Sequence, residues 1–312
     1  MNIDLSPEAL EFGAQARRAF DAAGGDALVR AAEADPRSRE AVAGAVLTDL
    51  GAWELTPRTD ADSLEAAAAL CRSAGYWALP YPVAERLARP EDGDADGLVV
   101  VTPHRPAAPL AGIECLWAAV DLDGGRYEVT GAAASGPGFV AALHLTPTGG
   151  DGAADLALAV TLPCWTLLGM LDRALDVTVE HVRLRRQFGQ PLSGFQGVQF
   201  QLTDAEVERA GVDVLAKYAL WSAGSGRPEA LDDALALRMA ALEAAEVVFR
   251  VTHQLHGAVG FCDETTLSWL SRYSQPLRRL PLGLSATREL LATRTGRHGL
   301  TGLFGTHPEL TR

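Results

Sequence analysis

With 312 residues the chain is long enough to bury a substantial core and to divide into two or three domains. A formal net charge of −13 excludes a nucleic-acid partner, which needs a basic face, and suits an acidic, solvated exterior. Aromatic residues make up only 6%, and the abundant alanine and leucine favour helix.

Residues 1–90 read as helical. Ser6 followed by Pro7 gives a capping side chain and then a ring already at helical φ. A periodic stretch through Leu10, Ala14 and Arg17 breaks at Gly24-Gly25. Asp62 and Glu65, three apart, read as a capping box that opens a helix through Leu70 to about Ala74. The following Tyr76-Trp77-Ala78-Leu79-Pro80-Tyr81-Pro82 demands extended or turned backbone.

Residues 91–160 change character to a small β module rich in Gly and Pro. Strands are expected at 97–101, at 116–121 and 126–130 as a hairpin across Gly124-Gly125, at 140–145, and at 156–160. The most apolar run, residues 156–171, contains Pro163 and lies between Asp155 and Asp172, so it is expected to be too short and too interrupted for a membrane span. Asp4, Glu8 and Glu11 near the start lead us to expect no secretory signal. Cys71, Cys115, Cys164 and Cys262 are widely spaced, as expected of reduced thiols in a cytoplasmic protein.

Residues 161–312 return to helix. Leu167, Leu171, Leu175 and Val179 recur every fourth residue up to the basic run Arg183-Leu184-Arg185-Arg186. A second helix is expected from near Gln196 to Trp221, a third through Leu235, Met239 and Leu242 to His256, and shorter ones after Asp263 and Ser285. The fold class is therefore mainly α with a small β insertion: an N-terminal helical domain (1–90), a reduced β module (91–160) and a C-terminal antiparallel four-helix bundle (161–312).

Two patches in the bundle carry chemistry. The first is Arg185-Arg186-Gln187-Phe188-Gly189-Gln190-Pro191-Leu192 with Phe195-Gln196; the second is Gln254-Leu255-His256-Gly257-Ala258-Val259-Gly260. An arginine fork grips a phosphate through two hydrogen bonds, glutamine amides serve a ribose or ring edge, and glycine lets backbone approach a bulky anion. The blander alternatives are cations at a helix C-terminus, a hydrogen-bonded histidine at His256, and Phe188 and Phe195 as core.

These motifs, within a helical–β–helical order, resemble the acyl-CoA dehydrogenase family, most strongly over residues 163–292. Asp49-Leu50-Gly51-Ala52-Trp53 and Gly75-Tyr76-Trp77-Ala78-Leu79-Pro80 look like that family's N-terminal helices. The resemblance implies FAD shared at a subunit interface. Arg185, Gln187, Phe188, Gln196, Gln254, His256 and Gly257 would reach the diphosphate and adenosine end of a neighbour's cofactor. Ala258 departs from the pattern, standing where glycine is common.

The family's chemistry needs a carboxylate to remove the substrate α-proton while the β-hydride leaves to the flavin. The commoner base position, seventeen residues after an acid like Glu264, falls on Pro281. The alternative, 26 residues before Arg185, falls on Ala159. Glu264, Glu289, Glu243 and Glu246 are nearby acids, none of them a convincing substitute. Ala132-Ala133-Ala134-Ser135-Gly136-Pro137-Gly138 replaces the aromatic-bearing flavin cover, and Trp117 and Trp165 read as packing residues.

The resemblance thus implies the non-catalytic subunit of a heteromeric acyl-CoA dehydrogenase. Its partners would be a homologous chain carrying the catalytic glutamate, an acyl-CoA substrate and an electron-transfer acceptor. Its own vestigial site would leave room for a bulky substrate such as a sterol side-chain CoA ester. The alternatives are a self-sufficient homo-oligomeric enzyme with a displaced base, and a non-enzymatic helical assembly protein.

Overall fold

A computed structural model describes residues 2–135 and 139–299. α1 (Pro7–Ala22) begins where Ser6 Oγ accepts the Ala9 N–H at 3.3 Å, and it stops before Gly24 and Gly25, both at positive φ. α2 (Ala27–Ala34) and α3 (Ala45–Asp49) follow, separated by a π-type turn at Glu40–Gly44. α4 (Ala61–Tyr76) opens at Asp60, whose carboxylate accepts the Ser63 N–H at 2.8 Å, and not at the expected Asp62–Glu65 box. Glu65 is engaged elsewhere. It accepts the Ser6 N–H at 2.7 Å and so ties α4 to the start of α1. After the turn at residues 77–82 comes α5 (Val83–Leu87).

Five strands form one sheet: β1 (Gly97–Val101), β2 (Ala107–Ala108), β3 (Trp117–Asp121), β4 (Gly125–Ala134) and β5 (Ala141–Asp151), in the order β1-β3-β4-β5-β2. β1 pairs with β3 in parallel; the other pairs are antiparallel. The β3–β4 turn is held by Asp121, whose carboxylate accepts the N–H groups of Asp123 and Gly125, each at 2.9 Å. β4 and β5 outrun the expected 126–130 and 140–145. Their extensions are largely exposed, and such a ribbon carries no apolar alternation to announce it.

The expected strand at 156–160 does not exist. Those residues lie inside α6 (Ala153–Leu184), a 32-residue helix in which Leu156, Leu158, Ala159 and Val160 are all buried. A helix buried all round presents a continuous apolar run instead of a helical period. It also continues through Pro163, so the expected interruption fails too: by length and composition this helix could cross a membrane. Its most apolar window is nevertheless 78% buried inside the fold. α4 crosses it at near-backbone distance. A Cβ on Gly75 would lie 1.8 Å from the Thr166 carbonyl oxygen, and one on Gly169 would lie 1.9 Å from that of Arg72.

Charge then locks the layers. Arg72 of α4 bridges Asp172 of α6 at 2.7 Å and Asp213 at 2.6 Å on α7 (Gln196–Gly224). Arg58 and Arg126 converge on the buried Asp155 at 3.2 and 2.7 Å, pinning the N-terminal helices and the sheet to the first turn of α6. The bundle is completed by α8 (Ala230–His256), α9 (Thr266–Arg279) and α10 (Leu284–His298). All four cysteines are free, and burial pushes the Cys164 thiol up to about 11.

Candidate functional site

α6, α7 and α8 run up, down and up, so the end of α6, the start of α7 and the end of α8 meet at one pole of the bundle. Every residue expected from the two motifs sits there. α6 stops at Leu184, Arg185 turns extended, and its carbonyl accepts the Leu192 N–H at 2.8 Å. That bond closes a two-residue hairpin, β6 (Arg186–Gln187) with β7 (Gln190–Pro191). Its central residues Phe188 and Gly189 have φ values of 50° and 83°, the conformation a tight hairpin requires.

Glycine meets that requirement freely; phenylalanine does not. Phe188 holds the left-handed conformation with 92% of its surface exposed, steadied only at the edge of Phe195, 6.2 Å away. The core role allowed for Phe188 in the sequence is therefore wrong. Strain combined with exposure marks a residue kept for something outside the chain.

The polar groups are equally open. Arg185, Gln187, Gln196 and Gln254 are exposed, and α7 starts without a side-chain cap. Arg183, Arg185 and Arg186 are exposed as well, and among the described residues none makes an ion pair. In a chain of net charge −13, three guanidiniums in four residues thus leave a local patch of positive charge open to solvent. At the end of α8, Gly257 takes φ 63° and allows the turn, while Ala258 is exposed and its methyl meets solvent. His256 is half-buried: its Nδ1 lies 2.9 Å from the Thr252 carbonyl, and its ring stacks on His181 at 4.3 Å. Sequence reasoning missed His181, because a histidine one turn before a basic run carries no signal of its own.

The donor set fits one edge of a dinucleotide: guanidinium for phosphate, amides for polar rims, an aromatic for a flat face, and uncapped helix N–H groups. It does not enclose one. The surface is a half-site.

The two vacated base positions meet in a different place. Ala159 of α6 and Pro281, between α9 and α10, line the same cavity, together with Leu98, Val100, Pro163 and Leu277. Its volume is about 40 Å³, which holds one or two waters and no acyl chain. At the two base positions themselves the chain leaves only this small, apolar-lined space. Arg238 of α8, 4% exposed, closes the loop by donating through Nη2 to the carbonyls of Leu280 and Leu282, each at 2.6 Å.

None of Glu243, Glu246, Glu264 and Glu289 lines this cavity. Glu243 pairs with Arg288 at 2.5 Å, and the other three are exposed. One carboxyl does line it, Glu85 of α5, which the sequence reading passed over. It makes no ion pair among the described residues, and burial pushes it up to about 7. Trp117 and Trp165 are buried packing residues, 5% and 0% exposed. Of the segment replacing the flavin cover, Ala132 to Ser135 are exposed and carry no ring, whereas Gly136, Pro137 and Gly138 lie outside the described residues.

Comparison with known proteins gives this arrangement its family. Residues 158–283 match the family model "Acyl-CoA dehydrogenase, C-terminal domain". Over 128 residues, 40% of this chain and 37% of the relative, the sequence is 34% identical to acyl-CoA dehydrogenase FadE28 of Mycobacterium tuberculosis. The first curated relatives are each matched over only 26% to 50% of their own length. Among solved structures, the Tcur3481-Tcur3483 steroid ACAD G363A variant superposes with a TM-score of 0.77 at 22% identity, covering 93% of this chain and 98% of that one. The ChsE4-ChsE5 complex of Mycobacterium tuberculosis gives 0.71 at 16%, covering 96% and 100%. Residues 158–283 thus match an acyl-CoA dehydrogenase C-terminal domain, in a chain whose fold as a whole is that of the acyl-CoA dehydrogenases.

Proposed function

We propose that this chain is the non-catalytic partner subunit of a heteromeric, FAD-dependent acyl-CoA dehydrogenase. The observation that carries the reading is the opposition of the two sites: an open edge with unpaired Arg183, Arg185 and Arg186 beside a strained, exposed Phe188, and a shut cavity at both base positions. FAD, which family members bind, supplies the hydride acceptor. This chain's part is binding. Arg185 grips a phosphate, Gln187, Gln196 and Gln254 hydrogen-bond the cofactor's polar rim, Phe188 lies on its flat face, and Gly257 lets the backbone close in. The homologous chain provides the carboxylate, the acyl-CoA pocket and the contact with an electron acceptor. Two of the structures this fold matches are named as two-component assemblies, which supports the choice of partner. The same reading puts the complex in the cytoplasm, where free cysteines stay reduced.

The test is co-expression with a homologous chain that has the glutamate, comparing wild type with Arg185→Ala. Losing a charged hydrogen bond to phosphate costs about 1.5–3 kcal/mol, or roughly ten- to 150-fold weaker FAD retention. Unchanged retention would remove Arg185 from the cofactor site.

A second reading, a self-sufficient enzyme with a displaced base, is favoured by Glu85. Its carboxyl shares a cavity with both vacated positions and is held near neutrality. It predicts a yellow protein, purified alone, whose acyl-CoA oxidation is abolished by Glu85→Gln. The size of the cavity weighs against it.

A further inference from the structure

The half-site contains one pair of titratable rings with no role so far. His181 comes from the end of α6 and His256 from the end of α8, and their planes stack at 4.3 Å with an 18° tilt. The stack therefore joins the two segments that carry the motifs and sets the spacing between Arg185 and Gln254. The Thr252 carbonyl can only accept, so His256 Nδ1 bears the hydrogen, and Nε2 is the nitrogen left to take a further proton. Arg185 lies one helical turn beyond His181 and acts on its ring; His181 and His253 act on His256. Among the described residues no carboxylate does so from α6, α8 or any element packed against them. Burial above all holds both imidazoles below the usual histidine range; Arg185 adds to it at His181, and at His256 the Thr252 hydrogen bond opposes it while the His181 and His253 rings add to it.

We propose that His181 is a further cofactor-positioning residue, and that the His181–His256 stack takes up a proton when a diphosphate settles beside Arg185. The inference rests on the reading of this edge as the place of a neighbour's FAD. Two negative phosphates remove the electrostatic reason for the stack to stay neutral. Binding that takes up a proton is favoured by acid, so FAD affinity rises as pH falls and weakens as pH climbs through the stack's titration in the loaded complex.

The experiment titrates FAD into the flavin-depleted complex of this chain with its homologous partner, between pH 8 and pH 5.5, following flavin fluorescence. One coupled proton gives an affinity gain approaching tenfold per pH unit below neutrality, about five- to tenfold being expected. His181→Phe/His256→Phe keeps two flat rings but leaves the stack no titrating nitrogen, and it should flatten that slope. Calorimetry of wild type in two buffers of different ionisation enthalpy reads the proton directly: uptake on binding is expected, and none would overturn the proposal even if the variant fails to fold. A wild-type slope in that double variant would also overturn it. Arg185→Ala in the same assay separates the two ideas: if it leaves affinity unchanged, the borrowed site itself is wrong. If it weakens affinity while the double variant keeps the slope, only the proton coupling is wrong.

Discussion

The pole of the bundle and the cavity beneath the sheet are opposite failures of self-sufficiency. At the pole, Arg185, Gln187, Phe188, Gln196 and Gln254 are open, and among the described residues the three arginines pair with no carboxylate. In the cavity, Ala159 and Pro281 stand at the base positions, Arg238 fastens the loop, and the remaining space holds water at most. The first region is finished only by another molecule; the second has no room for one. On the proposed reading, one fold carries exposed polar groups that complete another chain's site while its own base positions are filled by ordinary packing.

The contrast can be broken at its common frame. Gly169→Ala inserts a methyl 1.9 Å from the Arg72 carbonyl oxygen, where neither backbone can yield. A loss of about 3 kcal/mol or more is expected in urea unfolding. A neutral effect would mean that α4 and α6 do not cross as closely as described. Both regions depend on that crossing.

The cavity is sharpened next by Glu85→Gln. Burial raises this carboxyl from 4.5 to about 7, so its contribution is favourable below pH 4.5 and is lost as pH rises through 7. The glutamine variant should match wild type at pH 4 and exceed it by about 3 kcal/mol at pH 8, read from denaturation midpoints. A variant that is no more stable at pH 8 would put a compensating partner beside Glu85.

The smallest effect belongs to the pole. Phe188→Gly relieves the φ of 50° and should stabilise the isolated chain by about 1 kcal/mol, while weakening flavin retention in the complex. A gain in stability without loss of retention would show the ring to be idle.

Much of this was legible in sequence, and the exceptions are physical. The ends of α1, α8 and β1 follow from Ser6-Pro7, His256-Gly257 and the bounded run 97–101, because local chemistry settles them. The strand at 156–160 was misread because the first half of α6 is buried almost all round there and hides its period. The α4 cap was misplaced because Glu65 serves α1, a contact 59 residues away in the chain. The motif pole was legible because its residues cluster in two short segments. Glu85 and Arg238 were not, since only the fold brings α5, α8 and the loop at Pro281 to one cavity.

The most direct measurement is the flavin content of the assembled particle. With a homologous partner that carries the glutamate, the account predicts one FAD for every two chains, and little or no flavin on this chain purified alone. A stoichiometric yellow protein that oxidises acyl-CoA without any partner would contradict it.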